Sequence, residues 1–450
     1  MKKFTAVILA LIIAVTAFPA AAYGASEVPE TTAGAALVAD LTTGEILYEK
    51  NADSRMYPAS LTKIMTGILT IENVSLGVTL TADDDIAAVE PTILKMKAGE
   101  QIKAKDALYC MLIASCNDLA VRFAKHISGS TAEFAKLMNQ KAEELGCENT
   151  HFVNPHGLHD EDHYTTARDL FKIVSYCMKN DLFREIVGMT EYTYTRGKGA
   201  LNPGKEETVK TTNWLLNNTT TSIYVGPDKR TPKYDGCIGI KTGYDDEAKG
   251  CMIAAAEKDG TTIVSIVLRS DGDTSGIYER VVDSIKLLQW GQENFRTYKV
   301  VSAGQDFGTV KVKRGAVKTV GAALKDDIFT TLDNAESGEN VTYEAVLNGP
   351  VQAPVARGDV IGKVKLSVGG EPRGEYDIVA TSSVDKGGPL SVFGIDDATA
   401  AKIFTLLLML VMIAAVSAGM YFVYVKVRSD RAKARKKARE KVSGGNGDLG

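Results

Sequence analysis

The chain has 450 residues, of which 45% are hydrophobic and 24% charged. These fractions are ordinary for a globular protein and leave room for two or three domains with a sizeable core, so composition by itself names no class. The net charge of −4 hides an uneven distribution: residues 426–450 carry +6 and residues 1–24 carry +2, leaving about −12 between them. A surface of that sign argues against a nucleic-acid partner, and an anionic substrate would need locally placed cations.

Lys2 and Lys3 precede an apolar run from Ala6 to Ala17, which ends before Pro19. Small residues follow, and Ala20-Ala21-Ala22 or Ala22-Tyr23-Gly24 suits a signal peptidase. The run is short for a membrane span, so residues 1–24 read as a cleaved secretory signal. Gly34 to Glu49 reads as a β hairpin around Thr42-Thr43-Gly44. A helix begins near Ser60, with Leu61, Ile64, Met65, Ile68 and Leu69 on one stripe. Ser130 with Glu133 forms a capping box for a helix that ends at Gly146. Thr166 caps another, with Leu170, Ile173 and Val174 inward. Strands follow at 237–243, 251–257 and 261–269. A helix around 275–290 then carries Val281, Ile285, Leu287, Leu288 and Trp290. The order of hairpin, helices, meander and final helix predicts one α+β domain with an antiparallel sheet over 30–295.

Helical periodicity vanishes after about residue 296. Val310–Lys313, Val341–Ala345 and Val364–Val368 alternate between Gly and Pro positions, which predicts a small all-β domain over 297–385. Residues 386–402 read as a linker. Ile403 to Val425 holds no charged residue and suits a transmembrane helix. The tail that follows carries nine basic and three acidic residues, and the positive-inside rule places it in the cytoplasm. The expected topology is an extracytoplasmic domain held at the cell membrane by one C-terminal anchor in lipid. Six cysteines show neither a disulfide framework nor a C-x-x-C pair, and no histidine cluster suggests zinc. Most read as small core residues, with one bridge left open.

Three short motifs carry the chemistry. In Ser60-Leu61-Thr62-Lys63 a hydroxyl and an amine stand three apart, one turn of helix, so they share a face. A serine is a poor nucleophile until a neighbour takes its proton. A lysine does so only if desolvation or nearby cations lower its pKa, and Lys241 is a candidate for that second charge. Ser383-Val384-Asp385-Lys386 has the same spacing but lies in a linker without helical pattern. In Ser115-Cys116-Asn117 a second hydroxyl can relay a proton, and the Asn117 amide can bond both a substrate amide and the lysine. By itself Ser115 also reads as a cap for the helix starting at Leu119. Lys241-Thr242-Gly243 ends a strand, where the lysine and hydroxyl suit a free carboxylate. Gly243 would let a ligand backbone approach closely.

Taken together and in this order, the motifs resemble the penicillin-recognising serine acyltransferases. The closer similarity is to the low-molecular-weight penicillin-binding proteins, the D-alanyl-D-alanine carboxypeptidases. Pro58 to Thr66 looks like that family's nucleophile segment. Asn154-Pro155-His156-Gly157-Leu158 with His163 to Leu170 resembles its active-site loop, and Gly239 to Tyr244 its sheet-edge motif. The resemblance implies a β-lactamase/transpeptidase-like catalytic domain without a cofactor. It implies attack by Ser60 on the bond between two D-alanines of a peptidoglycan stem pentapeptide, with Lys63 as base. The N–H groups of Ser60 and Tyr244 would form the oxyanion hole. Ser115 would protonate the departing D-alanine with help from Lys241, and Lys241 with Thr242 would hold the terminal carboxylate. β-Lactams would acylate the same serine. His156 would shape the loop. Cys116 departs from the family's usual middle residue, and Arg269 is a weak candidate for an additional carboxylate arginine.

Two other readings stay open. A class A β-lactamase needs a glutamate in Glu-x-x-Leu-Asn, and the nearest match begins at Asn213, which cannot act as a base. A membrane-anchored peptidoglycan sensor without turnover would keep the pocket and signal through the basic tail.

Overall fold

The computed structural model describes residues 27–83, 89–272, 276–334 and 340–443. The expected signal segment lies outside these. The described residues divide into two compact units, 27–300 with 329–334, and 301–328 with 340–443.

The first unit is built on a five-stranded antiparallel sheet. Its strands are β1 (Ala33–Asp40), β2 (Ile46–Lys50), β3 (Cys237–Asp245), β4 (Lys249–Lys258) and β5 (Thr261–Ser270), in the order β2-β1-β5-β4-β3. Side chains alternate across a strand. Ala35, Leu37, Ile253, Ala255, Val264 and Ile266 therefore face one layer of helices. Ala36, Val38, Met252, Ala254, Ile263 and Val267 face the other side. Both faces are apolar because both are covered.

The first layer holds α1 (Lys63–Asn73), α2 (Ala104–Ala114), α3 (Asn117–Ser128), α4 (Thr131–Glu144), α5 (Ala167–Cys177) and α6 (Asp181–Val187). Residues 63–70 of α1 are all buried, so this helix runs through the core rather than over it. The opposite face takes α7 (Glu279–Asn294), whose Val281, Ile285 and Leu288 recur at helical spacing. Ser130 and Thr166 cap α4 and α5 by accepting from the N–H groups of Glu133 and Asp169. The Glu133 side chain pairs with Lys136, so it does not return to Ser130 to complete a capping box. The final helix starts four residues later than its sequence pattern suggests. Short strand pairs at Thr79–Thr81 with Gln101–Lys103 and Glu191–Thr195 with Glu206–Lys210 were not anticipated.

Residues 329–334 belong with this unit, although they fall inside the segment read as the β domain. The buried carboxylate of Asp40 explains it. Asp40 accepts from the hydroxyls of Thr297 and Thr331 as well as the Thr42 N–H, so both distant threonines are needed to satisfy it.

The second unit is a six-stranded sheet of β6 (Asp306–Lys313), β7 (Thr319–Leu324), β8 (Val341–Leu347), β9 (Val351–Gln352), β10 (Val360–Val368) and β11 (Glu371–Ala380), in the order β8-β10-β11-β7-β6-β9. Pairing is antiparallel except between β6 and β9. Residues 386–402, expected as linker, are ordered by hydrogen bonds. They hold a 3-10 turn, Pro389–Phe393, and the start of α8 (Asp397–Ser443). Asp397 N–H donates to the Ala316 carbonyl, and Gly388 N–H to the Asp397 carboxylate at 2.8 Å. Among the described residues α8 is the one helix long and apolar enough to cross a membrane.

Candidate active site

Ser60 sits in a 3-10 turn, Ala59–Thr62, that runs directly into α1. The tighter turn brings residues three apart nearly into register. Lys63 Nζ accordingly donates to Ser60 Oγ at 2.9 Å and to the His156 carbonyl at 2.8 Å. Lys63 is fully buried. Burial, and then the charge of Lys241, hold its ammonium well below the usual lysine range.

Two glycines let neighbouring segments close around this turn. A Cβ on Gly243 would stand 2.9 Å from the Pro58 carbonyl and 3.2 Å from the Ser60 nitrogen. The absent side chain therefore makes room for the nucleophile's own turn, not only for a ligand backbone. A Cβ on Gly157 would overlap the Ala59 carbonyl at 1.8 Å, and its φ of +87° disfavours any other residue. The loop carrying Gly157 is pinned further by Thr66 Oγ1, which donates to the Pro155 carbonyl at 2.6 Å.

Two histidines of this region, His163 buried and His156 half-buried, support the turn from behind. His163 Nδ1 accepts from the Val153 N–H at 3.1 Å. Its Nε2 then carries the proton and donates to Thr62 Oγ1 at 2.8 Å, while that hydroxyl donates to the Ala59 carbonyl. His156 Nδ1 accepts from the Leu158 N–H, and its carbonyl rather than its ring meets Lys63. Burial lowers His163 to about 4 and His156 to about 3, so both rings are neutral at physiological pH.

Ser115 lies between α2 and α3 in the left-handed region, φ 63°. It is the C-cap residue of α2 and not the expected cap of α3, whose N-cap position Cys116 holds without a side-chain bond. Its Oγ instead accepts from Lys241 Nζ at 2.9 Å. A residue with a Cβ pays roughly 1–2 kcal/mol for that backbone, and such strain gathers at functional sites. Lys241 is buried on β3 and also donates to the Thr242 carbonyl at 3.0 Å. Burial, followed by the Arg280 guanidinium, brings it down to about 7. Thr242 Oγ1 lies 2.6 Å from Thr212 Oγ1. Tyr244, which follows Gly243 on the strand, donates its hydroxyl to Asp246.

Asn117 differs from expectation. Its amide donates to the carbonyls of Glu90 and Pro91 at 2.9 and 3.1 Å, and no bond to either lysine is seen. Its Oδ1 is buried without a partner, open to a donor from a ligand. Arg269 also differs. It is exposed beside Lys249, at the far end of the β3–β4 turn from Lys241. The arginine at the site is Arg280, on the first turn of α7. It is buried, and it donates to the Gly243 carbonyl at 2.6 Å. Its sequence context is that of an amphipathic helix, with no local signal of a site. Cys116 is buried among the lysines, and burial pushes its thiol up to about 12, which leaves it an unreactive packing group. All six cysteines are free thiols, so no bridge forms.

The geometry thus unites a hydroxyl on a buried amine, a second hydroxyl on a second buried amine, and a strand edge beside both. A family model described as D-alanyl-D-alanine carboxypeptidase matches residues 22–272. The chain belongs to that family. A second model, the C-terminal domain of penicillin-binding protein 5, matches residues 295–386. Among curated relatives, D-alanyl-D-alanine carboxypeptidase DacF of Bacillus subtilis (strain 168) is 30% identical over 79% of this chain and 87% of its own length. Among solved structures, penicillin-binding protein 5 of Haemophilus influenzae superposes with a TM-score of 0.64 at 27% identity, covering 80% of this chain and 99% of that one. The Streptomyces K15 DD-transpeptidase matches 60% of this chain and all of its own, at 32% identity and a TM-score of 0.53. As a member of this family the chain is an enzyme, a serine peptidase.

Proposed function

We propose that the enzyme removes the terminal D-alanine from peptidoglycan stem pentapeptides through an acyl-enzyme on Ser60. The single observation that carries this is the 2.9 Å contact between Ser60 Oγ and a fully buried, charge-depressed Lys63. Once neutral, the Lys63 amine keeps its bond to the His156 carbonyl and turns its lone pair toward the Ser60 hydroxyl. The proton passes to Nζ as Oγ attacks the carbonyl carbon between the two D-alanines. The N–H groups of Ser60 and Tyr244 receive the oxyanion, a contribution worth roughly 3–4 kcal/mol per donor. The C–N bond then breaks, and the leaving nitrogen takes a proton from the Ser115 hydroxyl, which Lys241 replenishes. Lys241 and Thr242 hold the terminal carboxylate, and Asn117 Oδ1 accepts from a substrate amide. Water hydrolyses the ester and frees Ser60.

A β-lactam would enter the same pocket and acylate the same oxygen. The long apolar helix α8 is a candidate membrane anchor, and we assign the catalytic unit to the extracytoplasmic side, where the wall peptide lies. The test is incubation of the enzyme and its Ser60→Ala variant with a stem pentapeptide, scoring free D-alanine. Release by the wild type and not by the variant is expected; equal rates would overturn the mechanism. Covalent labelling by penicillin without D-alanine release would favour the sensor reading.

A further inference from the structure

The proposed reaction fixes the direction in which a bound peptide runs. Its terminal carboxylate meets Lys241 and Thr242, and its scissile carbonyl lies between Ser60 and the Tyr244 N–H. Upstream residues therefore pass Tyr244 and approach the turn between β3 and β4. A strand advances about 3.3 Å per residue, so the turn at Glu247 is about 10 Å beyond Tyr244. That is within reach of a long side chain on the residue preceding the penultimate D-alanine.

A cavity of about 720 Å3 opens at that turn. Tyr57, three residues before Ser60, forms part of its wall. Its charged lining has both signs, with Arg55, Lys249 and Arg269 against Glu161, Asp162, Asp246 and Glu247, of which Asp246 already accepts from the Tyr244 hydroxyl. Arg55 is already engaged, donating to Asn149 Oδ1 and lying 4.4 Å from the centre of the Tyr164 ring. Among the described residues no hydrogen bond or ion pair engages the side chains of Lys249 or Arg269. Both occupy the left-handed backbone region, with φ of 57° and 54°. Arg269 lies within the bulge where β4 and β5 slip register between Gly250 and Met252, and Lys249 immediately precedes it. A bulge of this kind redirects side chains, and its backbone is disfavoured for any residue with a Cβ. Here it brings two cations to one cavity that already offers carboxylates.

We infer that this cavity is the subsite for the third residue of the stem peptide, and that it selects a side chain ending in an ammonium and a carboxylate on one carbon. Lysine ends in an ammonium alone. The acidic residues meet the ammonium common to both side chains. The additional carboxylate is what Arg269 and Lys249 would bind, and with lysine in place they stay without a partner. The inference rests on the reaction direction proposed above.

The probes are two synthetic pentapeptides that differ only at position three, meso-diaminopimelate in one and L-lysine in the other. Their binding is measured by calorimetry to the full chain carrying Ser60→Ala, which separates affinity from turnover. The diaminopimelate peptide is expected to bind about tenfold more tightly, the discrimination of one charge-assisted contact at an exposed site. Adding Arg269→Ala should remove most of that gap, and adding Lys249→Ala the rest. Arg269→Lys, which keeps the charge, should retain part of it. Equal affinities in the Ser60→Ala parent, or a gap that survives both further substitutions, would overturn the inference. A gap present while the wild type releases D-alanine from neither peptide would uphold the subsite and remove the proposed reaction instead.

Discussion

Lys241 Nζ donates to Ser115 Oγ at 2.9 Å, joining the edge of the sheet to the junction of α2 and α3 across 126 positions of sequence. This bond gives the second hydroxyl of the site a fixed orientation. It also gives a buried lysine a neutral partner in place of a carboxylate. The site is therefore held together by hydroxyls and carbonyls around cations, which suits a substrate that brings its own negative charge.

Activity and stability should separate at Ser115. Replacement by alanine removes the proton relay, and kcat/KM for the pentapeptide is expected to fall by about two to four orders of magnitude. Replacement by glycine should lose as much activity but relieve the left-handed backbone. Thermal unfolding should then rank Ser115→Gly above Ser115→Ala by up to about 1 kcal/mol. The reverse ranking would mean that the backbone at this junction is not strained.

Gly243→Ala should damage the nucleophile more than the fold. Its new methyl would press on the Pro58 carbonyl and the Ser60 nitrogen, displacing the turn by a few tenths of an ångström. Small misplacements of a reacting group are expensive, so acylation by a fluorescent penicillin should slow about 100-fold. The unfolding midpoint should move by only a few degrees.

Lys241 should impose a pH dependence on binding. Below about 7 its ammonium is charged and grips a carboxylate; above that value the charge is lost. KM for the pentapeptide is expected to rise as pH climbs past 7, and a peptide with an amidated C-terminus should not show the rise. The same group acts on stability. The unfolded chain keeps this proton to about 10.5, so unfolding takes up a proton between the two values. Lys241 thus contributes increasing stability as pH rises through that window.

His163 and His156 predict sensitivity to acid. His163 and His156 are neutral in the folded state down to about 4 and 3, whereas an unfolded histidine protonates near 6.5. Between those values the unfolded chain binds more protons, so stability should fall as pH drops from 6.5 toward 4. A series of thermal melts would measure the slope. His163→Gln should lower stability at neutral pH and flatten part of that slope.

Much of the fold was readable from the sequence because its signals are local. Short continuous apolar runs mark β1, β4 and β5, and Ser130 and Thr166 announce the helices they cap. The three motifs were readable for the same reason, since each fits within four residues. What escaped depends on distant partners. Arg280 looks like any polar residue at a helix start until its guanidinium is seen on the Gly243 carbonyl, 37 positions away. Arg269 carries the same charge, and only the bulge between β4 and β5 shows where it stands. Thr331 gives no sign that it closes a hydrogen-bond shell around Asp40. The amide of Asn117 was expected on a lysine, yet two carbonyls from the segment before α2 hold it.

The strand order also bears on how the molecule is made. Ala33 pairs with Ser270, near the two ends of the catalytic unit, and β1 lies inside the sheet rather than at its rim. A chain emerging from its N-terminus can pair β1 with β2 at once, but must carry the other edge of β1 open through the synthesis of more than two hundred residues. The sheet cannot close until β5 has been delivered, so any truncation short of that strand should yield an open, aggregation-prone product instead of a smaller enzyme.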